Sequence, residues 1–130
     1  NLYLNGIEIL KSKVQYNSKI YCGKSTVETF IFKEKLLNGK EYLTSYYKNY
    51  SYQNSDEFFV PKDHYFFLGD NRDCSKDSRF LTSVGFVHKD NLVGKAQFIF
   101  FSTNIREGSI FKFWEWKKIL RTERFFKKII

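Results

Sequence analysis

The chain has 130 residues, 42% of them hydrophobic and 28% charged, which supports a packed core and excludes disorder as the resting state. Its 22 basic and 14 acidic residues leave a net charge of +8, a bias toward polyanions, either nucleic acid or an anionic bilayer surface. The longest uncharged run, Ala96 to Ile105, is ten residues, short of the roughly 18 that a membrane-spanning helix needs.

The first half reads as β. Leu2-Tyr3-Leu4 runs into Asn5-Gly6, a strong two-residue hairpin signal, and Ile7 to Leu10 resumes an apolar run. A strand is expected over Val27 to Lys33, a turn at Asn38-Gly39, and a tyrosine-rich strand over Tyr42 to Tyr47. Residues 48–57 are polar and read as a loop. Phe58-Phe59-Val60 and Tyr65 to Leu68 are short strand candidates around Pro61-Lys62-Asp63. Asn91 to Phe101 is a further strand, with Gly94 as a bulge or point of close approach. Helix is expected only around Phe113 to Phe126, where Phe113, Trp116 and Leu120 share a face.

Charge is concentrated at the end. From Thr103 to Ile130 there are eight basic and three acidic residues, interleaved with Phe111, Phe113, Trp114, Trp116, Phe125 and Phe126. Rings beside cations suit an anionic membrane interface. They also suit single-stranded nucleic acid, by stacking along a basic groove. A solvated terminal element is the plain alternative. Cys22 and Cys74 lie 52 residues apart and match no metal-binding spacing; a disulfide between them is one alternative, but two free thiols are the default expectation, because a cross-link at Cys74 would fall inside a dense polar motif. Neither a metal nor a cofactor is expected. The sequence also lacks methionine, even at position 1, so Asn1 is expected to be an internal position of a longer chain.

That motif is Gly69-Asp70-Asn71-Arg72-Asp73-Cys74-Ser75-Lys76-Asp77-Ser78-Arg79. Gly-Asp-Asn suits a tight turn, with Asp70 or Asn71 bonding the local backbone. In an extended chain beyond it, Ser75, Asp77 and Arg79 fall on one side. A hydroxyl, a carboxylate and a guanidinium then form a polar network in which Asp77 and Arg79 neutralise each other and orient Ser75.

The motif, with VPKDHYFFLGDN before it and VGFVHKDNLVGKA after it, closely resembles the C-terminal signature of bacterial signal peptidase I over Val60 to Ser102. The opening Leu2-Tyr3-Leu4-Asn5-Gly6 is similar to the strand that follows the family's lysine-bearing segment, and the tail resembles the basic aromatic ends of alphaproteobacterial members. Two departures stand out: His88 where many members carry proline, and a longer stretch between Arg79 and Gly85. Both are read as loop variation.

The resemblance implies a serine endopeptidase that removes signal peptides from secretory preproteins, using a serine nucleophile and a lysine base. It implies a mainly β fold: antiparallel sheets of a partly open barrel, a β-rich inserted lobe and a short helical tail. By position, Ser75 matches the serine that hydrogen-bonds the base lysine. Asp77 and Arg79 match its supporting charges and Asp70 the turn aspartate, with Gly69, Asn71, Arg72, Asp73 and Ser78 completing the turn motif. The family's nucleophile and base segments (Ser-x-x-Pro and Lys-Arg-x-x-Gly-x-Pro-Gly-Asp) do not occur here, so both are expected upstream and the chain alone is expected to be inactive. Residues 1–57 are then the inserted lobe, 58–102 the end of the catalytic domain and 103–130 the tail. The expected setting is the periplasmic face of the inner membrane, as a monomer without nucleic acid. The rival readings are an internal Ser75–Lys95 dyad, which requires a buried lysine, an inactive remnant of the enzyme, and a basic β module that binds single strands.

Overall fold

A computed structural model describes residues 1–51, 55–104 and 107–129, with side chains at all of these except Gln15 and Tyr16. Strands β1 (Tyr3–Leu4) and β2 (Ile7–Glu8) pair through a two-residue turn in which Asn5 and Gly6 both take positive φ, 51° and 77°. That is the primed turn whose twist matches a hairpin, and it explains the Asn-Gly signal. Ile9, only 2% exposed, anchors the end of this hairpin, its N–H bonded to the Leu2 carbonyl at 2.8 Å.

Three longer strands form the central antiparallel sheet: β3 (Leu10–Cys22), β4 (Ser25–Lys35) and β5 (Glu41–Tyr47), in that order, with β4 in the middle. The expected strands over 27–33 and 42–47 lie in β4 and β5, and Gly39 (φ 81°) sits in the turn between them. The longest strand, β3, matches no expected element. Its lysines and asparagine conceal an alternation in which Val14, Ser18 and Ile20 are half-buried while Lys13, Asn17 and Lys19 face solvent. A register shift between Lys13 and Asn17 breaks the period further. Period-2 geometry puts Thr29 and Ile31 on one face of β4, and Phe30, Phe32 and Glu34 on the other. On that second face Glu34 pairs with Tyr42, Phe32 with Thr44 and Phe30 with Tyr46.

After β5 the chain is mostly irregular. The 48–57 loop has no regular structure at 48–51 and 55–57, and its remainder lies outside the described residues. The strand expected at 58–60 does not form, and that expected over 65–68 shrinks to β6 (His64–Tyr65), paired with β7 (Val87–His88). Side chains rather than a ladder hold this region: Phe58 stacks on Phe66 at 4.8 Å, and Phe66 meets Phe86 at 5.9 Å. His88, read as loop variation, is instead the cross-strand partner of His64, with ring centroids 5.0 Å apart.

The chain divides into two compact units, Asn1–Leu92 and Val93–Ile130. In the second, no continuous strand forms over 91–101. One isolated bridge joins Phe98 to Lys128, another joins Thr103 to Leu120, and backbone bonds such as Ile99 N–H to the Lys127 carbonyl (2.9 Å) align the two stretches. Nothing lies within 4 Å of a β-carbon position at Gly94, so it marks no close approach. The expected helix over 113–126 is split into a 3-10 turn (Phe113–Glu115), α1 (Trp116–Ile119) and a second 3-10 turn (Thr122–Arg124). Its buried residue is Ile119 at 0% exposure, whereas Phe113 and Trp116 are exposed. A four-residue helix cannot present a stripe two turns long, so the face read from Phe113, Trp116 and Leu120 does not exist. The sum is a mainly antiparallel β protein, with one short α-helix, near the C-terminus, and no closed barrel among the described residues.

Candidate functional site

The motif 69–79 is held along the edge of β5. Ser45 N–H donates to the Asp70 carbonyl and Arg72 N–H to the Ser45 carbonyl, each at 2.9 Å, while Ser45 Oγ reaches Asn71 Oδ1 at 2.7 Å. Asn71 thereby forms a parallel bridge with Ser45. Two positions further along both stretches, Asp73 Oδ2 accepts from Tyr47 N–H at 2.7 Å and from Ser51 Oγ at 2.8 Å. Asp70 contributes its carbonyl to this edge, and the residue is exposed.

Arg72 turns inward. Its Nη2 donates to Glu34 Oε2 at 2.5 Å, the side chains being 6% and 1% exposed. Glu34 also accepts from Tyr42 Oη (3.0 Å), Thr44 Oγ1 (3.2 Å) and Tyr46 Oη (2.8 Å), three residues that strand period brings to one face of β5. Burial, then the Glu34 carboxylate, raises the phenol pKa of Tyr42; burial raises that of Tyr46 further, against the pull of Arg72. Both phenols stay donors. Arg72 Nε has no hydrogen-bond partner among the described residues.

Arg79 clamps Asp77 with two bonds, Nε to Oδ1 at 2.7 Å and Nη2 to Oδ2 at 2.8 Å, and its Nη2 also bonds the Arg72 carbonyl. Asp77 Oδ2 accepts from Gly69 N–H at 2.8 Å. Ser78 is fully buried, its Oγ accepting from Phe67 N–H at 2.9 Å. Burial alone would raise the Asp77 carboxyl, but the Arg79 side chain and the N–H groups of Gly69 and Arg79 outweigh it and hold the pKa below the ordinary 3.8. The unfolded chain therefore binds the proton first, and the stability that this carboxylate adds is lost as pH falls below about 4. Asp77→Asn is expected to flatten the acid side of a stability-against-pH curve measured by urea denaturation; an unchanged acid slope would contradict the assignment.

Ser75 is half-buried and packs over Gly69: a β-carbon there would overlap Ser75 Oγ and Cβ and lie 3.5 Å from Asp77 Oδ2. Among the described residues the Ser75 hydroxyl has no hydrogen-bond partner, so it is positioned by packing and remains able to bond a group brought to it. Arg79 bonds Asp77 and Asp77 bonds Gly69, so the pair reaches Ser75 through that glycine.

One sequence expectation is overturned, and one rival reading loses its support. Cys22 and Cys74 are joined in a disulfide with Cα atoms 5.7 Å apart, because the tip of the β3–β4 hairpin folds onto the motif, a proximity that a sequence separation of 52 hides. Lys95 is exposed, so the desolvation that an internal Ser75–Lys95 dyad needs is missing. Sequence reasoning also missed Glu34. Its signal was available: a carboxylate that continues the period of Phe30 and Phe32 opposite the alternating Tyr42, Thr44 and Tyr46. Among the described residues no three His, Cys, Asp or Glu side chains are grouped to hold a metal.

Between the motif and the start of the chain lies a shallow cleft of ≈ 90 Å³, with Asn1, Leu2 and Lys11 on one side and Phe66, Arg72 and Arg79 among its other walls. Comparison with known proteins gives these features a family context. The family described as "Signal peptidase, peptidase S26" matches residues 3–101. The chain is 38% identical to Signal peptidase I of Rickettsia typhi and 37% identical to that of Rickettsia prowazekii, in both cases over 98% of this chain and 52% of the relative. It is also 38% identical to Signal peptidase I of Rickettsia bellii, over 98% of this chain and 47% of that protein. The chain thus spans about half the length of the curated relatives it matches. No solved structure matches it.

Proposed function

The chain belongs to the signal peptidase family, peptidase S26, and we propose on that footing that it is the part of a signal peptidase I that supports the catalytic base. The observation that carries the reading is the Ser75 hydroxyl, packed over Gly69 beside the Asp77–Arg79 pair and without a hydrogen-bond partner among the described residues. A serine nucleophile and a lysine base on a segment outside these residues would complete the site. The neutral lysine takes the serine proton as Oγ attacks the scissile carbonyl, the amine leaves, and water resolves the acyl-enzyme. Ser75 holds the lysine amine in line. Asp77 and Arg79, neutralising each other, fix the loop that carries Ser75 without adding net charge near a base that must stay neutral at working pH. The substrates are secretory preproteins whose signal peptide lies extended with small side chains before the cut, the setting is the periplasmic side of the inner membrane, and the 130 residues alone do not cleave.

Ser75→Ala in the intact enzyme is expected to lower kcat on a signal-peptide substrate by about 100-fold or more, within the range of lost positioning effects, with the melting temperature unchanged. Full turnover in that variant would remove Ser75 from the mechanism.

The second unit favours contact with an anionic membrane surface. Phe98, Phe100, Phe111, Phe113, Trp114 and Trp116 are exposed there, alongside exposed Lys112, Lys117, Lys118, Arg121, Lys127 and Lys128. No described helix is long and apolar enough to cross a membrane, so the contact is interfacial. The 130-residue chain is expected to co-sediment with phosphatidylglycerol vesicles and not with phosphatidylcholine vesicles; equal partition to both would reject the idea.

A further inference from the structure

We propose that the Cys22–Cys74 disulfide is a positioning element for Ser75, so that turnover of the intact enzyme depends on the redox state of this pair. The inference rests on the reading of Ser75 given above and adds to it a covalent anchor from a different part of the fold. Upstream of the serine, the motif is tied to β5 as far as Asp73, through Tyr47 N–H. Downstream it is tied at Asp77, through Gly69 N–H and Arg79. Between those ties lie Cys74, Ser75 and Lys76, whose backbone is held by bonds from the N–H groups of Cys74 (3.0 Å) and Ser75 (2.7 Å) to the one Asn71 carbonyl. The disulfide enters this gap at the residue next to Ser75.

Its other end is a firm support. Cys22 is the last residue of β3 and pairs with Ser25 across the hairpin, and its Sγ accepts from Tyr47 Oη at 2.9 Å. Tyr47 is the same β5 residue whose N–H holds Asp73, so the hairpin tip, the end of β5 and the motif meet at one point. Both cysteines are half-buried, which leaves the bond open to a small dithiol. In reduction, a thiolate of the dithiol attacks one sulfur to give a mixed disulfide, and its second thiol displaces the remaining cysteine. Two electrons and two protons pass to the Cys22–Cys74 pair, and the reductant leaves as a cyclic disulfide. The two cysteines are then free to separate, and the Ser75 segment loses its covalent tie to β3, keeping its backbone bonds to Asn71 and at most a weak Cys74 S–H contact to the Tyr21 carbonyl, 3.9 Å away.

The test is steady-state kinetics of the intact enzyme on a signal-peptide substrate, with and without dithiothreitol, beside Cys22→Ser/Cys74→Ser and Ser75→Ala. Reduction is expected to lower kcat roughly 10-fold with little change in KM, the scale of a misplaced positioning group. It should also move the acid limb of the kcat–pH profile to lower pH, because the lysine keeps its lone pair for the nucleophile and donates N–H to Ser75 Oγ, and an amine that loses this acceptor holds its proton less tightly. Reoxidation should restore both, and the double variant should match the reduced enzyme and ignore dithiothreitol. A reduced enzyme that keeps its kcat and pH profile, even with a lower melting temperature, would overturn the proposal and leave the disulfide as a stabiliser only. The parallel variant separates the two ideas. An inactive Ser75→Ala beside an unaffected cysteine variant sinks the disulfide role alone, whereas a fully active Ser75→Ala sinks the reading on which it rests.

Discussion

Glu34→Ala is expected to destabilise the fold by about 3–5 kcal/mol, the usual cost of stranding one partner of a buried ion pair. The substitution leaves the Arg72 guanidinium, 6% exposed, without its carboxylate. It also removes the acceptor shared by Tyr42, Thr44 and Tyr46, whose hydroxyls lie where water is scarce. Arg72 cannot escape by deprotonating, as a lysine would, because a guanidinium keeps its charge at any accessible pH. The motif backbone around Asn71 and Arg72 should loosen with it, since the side chain anchors what the Ser45 bonds align. The ion pair itself is a poor stabiliser compared with apolar packing, because both charges are taken out of water. Arg72 adds a further cost in its buried Nε, which has no hydrogen-bond partner among the described residues. Glu34→Leu/Arg72→Met should therefore be more stable than either single change, and urea denaturation of the four proteins measures the coupling. A Glu34→Ala protein with the wild-type midpoint would show that Arg72 is satisfied some other way.

That pair also marks the boundary of what the sequence reveals. Local chemistry is legible: Asn5-Gly6 announces a hairpin because two positive φ values are needed in two residues, and the Asp77–Arg79 clamp can be read from a spacing of two. The motif as a whole is legible through its resemblance to a family. Contacts between segments far apart in the chain are not. Glu34 and Arg72 are 38 residues apart, Cys22 and Cys74 are 52 apart, and each depends on the register of β4 against β5 and on where the motif crosses that edge. The hairpin tip touches the motif only because β3 and β4 are long, and β3 went unread because its alternation is built on half-buried residues among lysines. Over 91–101 apolar composition predicts a strand, but among the described residues the segment gains only one bridge with a C-terminal partner.

Gly69→Ala is expected to reduce kcat of the intact enzyme by about 100-fold, the scale of a misplaced catalytic contact, while costing about 1–3 kcal/mol of stability, the scale of overpacking. Backbone strain has no part in this, since Gly69 is not among the residues of positive φ. The cause is steric: a methyl group at that position would overlap both Oγ and Cβ of Ser75. The loop cannot simply rise, because Ser75 N–H is bonded to the Asn71 carbonyl at 2.7 Å and Asp77 Oδ2 to Gly69 N–H at 2.8 Å, one tie on either side of the overlap. The side chain must turn away or the ties must stretch, and in either case the hydroxyl leaves the place where it would meet the base. Gly69→Ala/Ser75→Ala should then be no slower than Gly69→Ala alone, since the hydroxyl is already out of position, and should regain part of the lost stability because Oγ is gone. Additive losses in kcat would mean that the two residues act separately. Wild-type turnover in Gly69→Ala would mean that the Ser75 hydroxyl does its work from some other position, or does none.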